Sequence, residues 1–124
     1  MPHLTVHALE SDLGGREAEL IAGLTDAVVA VYGEWVRESV EVLLVGVPAG
    51  RWGIGGRVAE APAPQVTFGI RATVLDRPDA TDVLGRLTAA IADAVAGVVG
   101  EQVRAATVVQ FVGESDGRTY SIAG

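Results

Sequence analysis

The sequence predicts an α+β fold: two tandem βαβ units whose four strands join into one mixed sheet, with two helices on one face. Three observations carry this. Stretches with a two-residue apolar period alternate with stretches of three- and four-residue spacing, in the order β-α-β, β-α-β. The halves also echo each other, since "LTDAVVAVYG" precedes "VRESVEVLLVG" while "LTAAIADAVAGVVG" precedes "VRAATVVQFVG". The two VR-to-VG blocks are equal in length and differ mainly by one extra helical turn before the second. Between the halves, "AEAPAPQ" (59–65) is too short and proline-rich to be more than a connector. Residues 1–124 are therefore expected to form a single domain, with repeats 1–58 and 66–124 joined by the linker 59–65.

The elements follow in order. Leu4, Val6 and Ala8 alternate with His3, Thr5 and His7, so 2–9 is a strand, and Pro2 stands at its first position, where proline is tolerated. Near 15–32 a helix places Leu20, Leu24, Ala27, Val28 and Val31 on one face. "VEVLLV" (40–45) returns as a strand, and the glycines of "GRWGIGG" (50–56) serve tight turns. That loop is no phosphate cradle, because no Lys-Ser/Thr pair follows it. The second half repeats the plan with a strand at "VTFGIRATVL" (66–75), a helix near 79–98 and a strand at "ATVVQFV" (106–112). The second helix buries Val83, Leu87, Ile91, Ala94 and Val98, and "DATD" places Asp79 at its cap and Asp82 in its first turn. Each βαβ unit should pair its strands in parallel through a right-handed crossover.

Composition removes several function classes. Nine basic against sixteen acidic residues, a net charge of −7, argue against nucleic acid or an anionic membrane as partner. No apolar run approaches the roughly 18 residues of a membrane span, and the first strand has no signal-peptide character. Without cysteine there is no disulfide, thiolate zinc site or cysteine nucleophile, which suits a reducing cytoplasm, the expected location. His3 and His7 lie on one strand face but about 13 Å apart at strand rise, so no metal site is expected there. No G-x-S-x-G elbow supports serine hydrolase chemistry. Hydrophobic residues make up 49% and aromatics only 5%, so the core is aliphatic, and its excess points to burial between subunits.

The proline behind Met1 bears on chemistry. A small second residue lets the cell trim the methionine, leaving a secondary amine at the true chain end. From here the chain resembles the tautomerase superfamily, whose members carry a catalytic amino-terminal proline on a βαβ unit. "MP", "LTDAV" and "GRWGIGG" are similar to 4-oxalocrotonate tautomerase. The doubled length is closer to the fused members, and "TVLDRPDATDVLGRLTAAI" and "VGESDGRTYS" share features with malonate semialdehyde decarboxylase and cis-3-chloroacrylic acid dehalogenase.

The resemblance implies the tautomerase/MIF fold, a homotrimer, and a cofactor-independent enzyme acting on a small 2-oxo, enol or unsaturated carboxylic acid. It carries the catalytic role to Pro2 and the decarboxylase's water-activating carboxylate to Glu38. Arg77 falls on one of that enzyme's two carboxylate-binding arginines, while Asp79 occupies the other position. Trp52 falls where an aromatic lies beside the proline. The two arginines of 4-oxalocrotonate tautomerase align with Asp12 and Glu41, reversing the charge, and the dehalogenase's histidine aligns near Val28. Chemistry supports the assignment of Pro2, because burial of an amine in an apolar pocket lowers its pKa and makes it a base near neutrality. A substrate carboxylate calls for an arginine fork. Arg77, just before a helix amino terminus, is the first candidate, and Arg71 on the preceding strand is the second. Glu38 beside a water would extend the chemistry to hydration or decarboxylation. Pro64, the equivalent of Pro2 in the second half, has an amide nitrogen, so one site per chain is expected. Two alternatives stand beside this reading: a catalytically silent trimer, and a ferredoxin-like ligand-binding module of the same strand order.

Overall fold

A computed structural model describes residues 2–114. Met1, whose removal the sequence predicts, and most of "VGESDGRTYS" lie outside the described residues. Four of the described strands form one mixed sheet. Two strands stand at its centre, β1 (His3–Leu9) and, following the short strands β3 (Gly53–Ile54) and β4 (Arg57–Val58), β5 (Gln65–Arg71). β2 (Glu41–Val47) flanks β1 and β6 (Val108–Glu114) flanks β5, both in parallel. β1 and β5 run antiparallel, from His3 opposite Gly69 to His7 opposite Gln65. This polarity follows from the chain's plan, because each βαβ crossover imposes parallel pairing and the two units meet head to tail.

Helices α2 (Glu17–Tyr32) and α4 (Ala80–Val99) cover one face. Leu4, Val6 and Ala8 of β1 and Val66, Phe68 and Ile70 of β5 point toward them and are buried. They meet Leu20, Leu24 and Val28 of α2 and Leu87, Ile91 and Val95 of α4. Phe68 is the largest fully buried side chain, its ring 5.5 Å from that of Phe111. Each such side chain contributes about 1.5–3 kcal/mol by leaving water. The other face carries His3, Thr5 and His7. On the edge strands it also carries Leu43, Val108 and Val112, which are 56%, 54% and 42% exposed.

The two halves match in detail. The carbonyl of Pro2 accepts a hydrogen bond from the Glu41 N–H at 3.1 Å, and that of Pro64 accepts one from Val108 at 3.3 Å. Pro2 and Pro64 thus occupy equivalent places in front of β1 and β5. Helices α2 and α4 both end at a glycine, Gly33 and Gly100, with φ of 113° and 132°, backbone that side chains other than glycine resist. Each glycine turns the chain into a 3₁₀ helix, Glu34–Ser39 and Glu101–Ala106. In the first, Arg37 donates to Glu34 at 2.6 Å and to Asp26 at 2.8 Å. In the second, Arg104 reaches Glu101 and Asp93 in the same way.

Three expectations need correction. The strand expected to reach residue 75 stops at Arg71, and Ala72–Leu75 form a helical turn, α3, as Glu10–Leu13 (α1) do after β1. The cause is non-local. Gly113 on β6 leaves space that a Cβ would fill against Ala72 at 3.3 Å, and Gly46 on β2 does the same for Glu10. The last strand begins at Val108 and not at 106, because the second 3₁₀ helix runs through Ala106 and Thr107 caps it. Asp79 does stand at the cap position of α4, but its carboxylate makes no cap hydrogen bond. The "GRWGIGG" turn forms a small hairpin, β3 (Gly53–Ile54) with β4 (Arg57–Val58).

Candidate active site

Strand polarity brings three pieces of chain to Pro2. Because β5 is antiparallel to β1, its carboxyl end, with Ile70 and Arg71, lies beside the start of β1. The turn that follows carries Thr73, Val74 and then Arg77. Because β2 is parallel to β1, the chain entering it, from Tyr32 through the first 3₁₀ helix, closes the third side. The result is a cavity of about 540 Å³ with Pro2 in its wall.

Its floor is apolar. Val36 and Ile70 are buried, and Val74 packs against the core. Tyr32 and Trp35 form the rim. The Trp35 indole N–H donates to the Tyr32 carbonyl at 2.8 Å, which holds a ring that is otherwise 78% exposed. Burial pushes the Tyr32 phenol above its usual pKa, with the nearby charge of Arg77 pulling the other way. The phenol therefore stays protonated and able to donate at neutral pH. Ser39 spends its hydroxyl on the Val36 carbonyl at 2.9 Å.

Arg71 and Arg77 both line this cavity, but in different states. The Arg77 fork is taken, with Nε and Nη2 donating to the two oxygens of Asp79 at 2.9 and 2.8 Å. Arg71 makes no side-chain hydrogen bond or ion pair among the described residues. Its cross-strand neighbour Glu114 is turned to His3 instead. Among the described residues Arg71 thus keeps its fork open, whereas Arg77 does not. The sequence favours Arg77 for its place just before a helix and assigns Asp79, two residues on, to the helix cap.

Glu38 and Trp52 are not brought to Pro2. In a 3₁₀ helix positions three apart share a face. Val36 and Ser39 take the cavity side, and Glu38 is exposed outside the lining. Trp52 follows β2, whose last residue, Val47, pairs with Leu9 at the far end of β1. Seven residues of strand, about 20 Å, separate that end from Pro2. Among the described residues the aromatic side chains lining the cavity are Tyr32 and Trp35, which the sequence reading missed. A signal existed, since only six aromatics occur in the chain and "YGEW" holds two of them at a helix end. Asp12 lies in α1, also at the far end of β1, and Val28 is core. Glu41 is exposed opposite His3.

Comparisons with known proteins bear on this arrangement. Residues 2–61 match the family model described as a tautomerase enzyme. Over 56 residues the chain is 43% identical to "Probable tautomerase RSp0893" of Ralstonia nicotianae, a stretch that is 45% of this chain and 79% of that one. Among solved structures, a native fused 4-OT superimposes with a TM-score of 0.81 at 30% identity, covering 98% of this chain and 94% of its own. A second fused 4-OT, described as an asymmetric trimer, gives 0.80 at 29% identity over 98% and 93%.

Proposed function

The chain belongs to the tautomerase superfamily, and on that premise we propose that Pro2, freed by loss of Met1, is the general acid and base for a small 2-oxo, enol or unsaturated carboxylic acid. One observation carries the reading: Pro2 and Arg71, an arginine with no side-chain partner among the described residues, share a cavity with an apolar floor. Arg71 would grip the substrate carboxylate through two charge-assisted hydrogen bonds. A secondary amine beside that floor pays for its charge, so its pKa falls toward neutrality, where it exchanges protons in either direction.

In ketonisation of an enol, the O–H bond breaks and a C–H bond forms. The nitrogen accepts one proton and delivers one, and no electron pair leaves the substrate. The reaction calls for no redox partner. Tyr32, which lines the same cavity and stays protonated at neutral pH, would donate to the oxygen that becomes negative. Glu38 would be needed to activate water, and its place outside the lining makes hydration and decarboxylation the weaker readings. We further propose a homotrimer, supported by the trimeric fused relative and by the uncovered Leu43, Val108 and Val112.

The test is turnover of phenylenolpyruvate by full-length protein whose mature amino terminus has been verified by mass. Pro2→Ala should lower kcat/KM by about 10²–10⁴ while the circular dichroism spectrum is unchanged. Equal turnover by the variant would overturn the assignment.

A further inference from the structure

We propose that Asp79 sets the substrate class, making the site select acids with one carboxylate and an apolar or aromatic tail over dicarboxylates. The inference rests on Arg71 as the carboxylate anchor. Among the described residues two cations, Arg71 and Arg77, line the cavity, which alone would suit a diacid. One of them is already answered, because Asp79 occupies two donors of the Arg77 fork.

That occupant is held in place. The Asp79 carbonyl accepts the first hydrogen bond of α4, from the Val83 N–H at 3.0 Å, so the backbone that carries the carboxylate is part of the helix start. A second substrate carboxylate would have to displace a competitor tethered two residues away, or sit beside its negative charge. Like charges about 5 Å apart, screened by a medium between protein and water, cost roughly tenfold in affinity.

The remaining walls fit an apolar tail. Trp35, Val36, Ile70 and Val74 offer carbon, and the Trp35 ring is pinned at the rim with its surface open. At about 540 Å³ the cavity is larger than a three- or four-carbon acid requires and lies in the range, about 300–1,000 Å³, of sites for larger ligands.

Calorimetric titration with two unreactive acids, 3-phenylpropionate and adipate, tests this without chemistry. The wild type should bind 3-phenylpropionate at least about tenfold tighter than adipate. Asp79→Asn should close most of that gap by gaining adipate affinity, with 3-phenylpropionate changed less than about twofold. Asp79→Ser, a second neutral residue favoured at helix amino termini, should do the same and guards against a folding artefact. A wild type that prefers adipate, or a ratio untouched in both variants, would overturn the inference. The expected binding ratio without Pro2-dependent turnover would sink the proposed reaction and leave this selectivity standing. Pro2-dependent turnover with the wrong ratio would do the reverse.

Discussion

Arg71→Ala should raise KM for a carboxylate substrate and leave kcat nearly unchanged. On the proposed reading the side chain would touch the substrate carboxylate before and during proton transfer alike, so its loss would remove binding common to both states. Hydrogen bonds to a charged group contribute about 1.5–3 kcal/mol. Arg71 is exposed at the cavity wall, so solvent screening favours the lower part of that range, about 1.5–2 kcal/mol. The expected loss in kcat/KM is therefore about ten- to thirtyfold. Arg77→Ala removes a cation that Asp79 already neutralises, and should cost about threefold or less. Steady-state kinetics of phenylenolpyruvate ketonisation reads both. Since Arg71 has no side-chain partner among the described residues, the urea midpoint of Arg71→Ala should match the wild type. A larger loss from Arg77→Ala than from Arg71→Ala would refute the reasoning.

Phe68→Ala, at a fully buried site, should destabilise by roughly 3–5 kcal/mol, read from the urea midpoint. Hydrogen bonding to Arg37 holds the Glu34 carboxyl below its ordinary value of 4.5. The stability it adds is present above that value and lost as pH falls through the lower folded one. The advantage of wild type over Glu34→Gln should therefore be seen in denaturation at pH 7 and vanish in strong acid. Leu43→Asp, on the uncovered sheet face, should shift native mass from trimer to smaller species without changing the circular dichroism spectrum. A trimer that survives the substitution would place the interface elsewhere.

The sheet and both long helices were legible because the core is aliphatic and its period switches cleanly between two and three to four residues. The equivalence of Pro2 and Pro64 was legible through the duplicated blocks. What escaped depends on distant partners. Thr73 and Val74 prolong a strand pattern, yet space left by Gly113 lets that stretch curl into α3. The 3₁₀ helices depend on Gly33, Gly100 and arginines that reach back to Asp26 and Asp93. At the site, which arginine keeps an open fork turns on the direction of one carboxylate, that of Asp79, which a linear pattern does not encode. For Glu38 and Trp52 the family resemblance points to the site, but helical phase and strand polarity separate them from Pro2.

The central claim concerns one nitrogen, and ¹⁵N NMR titration of proline-labelled, full-length protein reads it directly. Pro2 should appear as a free amine with a pKa below about 7.7, the low end of the ordinary α-amino range. An amide resonance from retained Met1, or an amine that titrates at or above the ordinary range, would contradict the account.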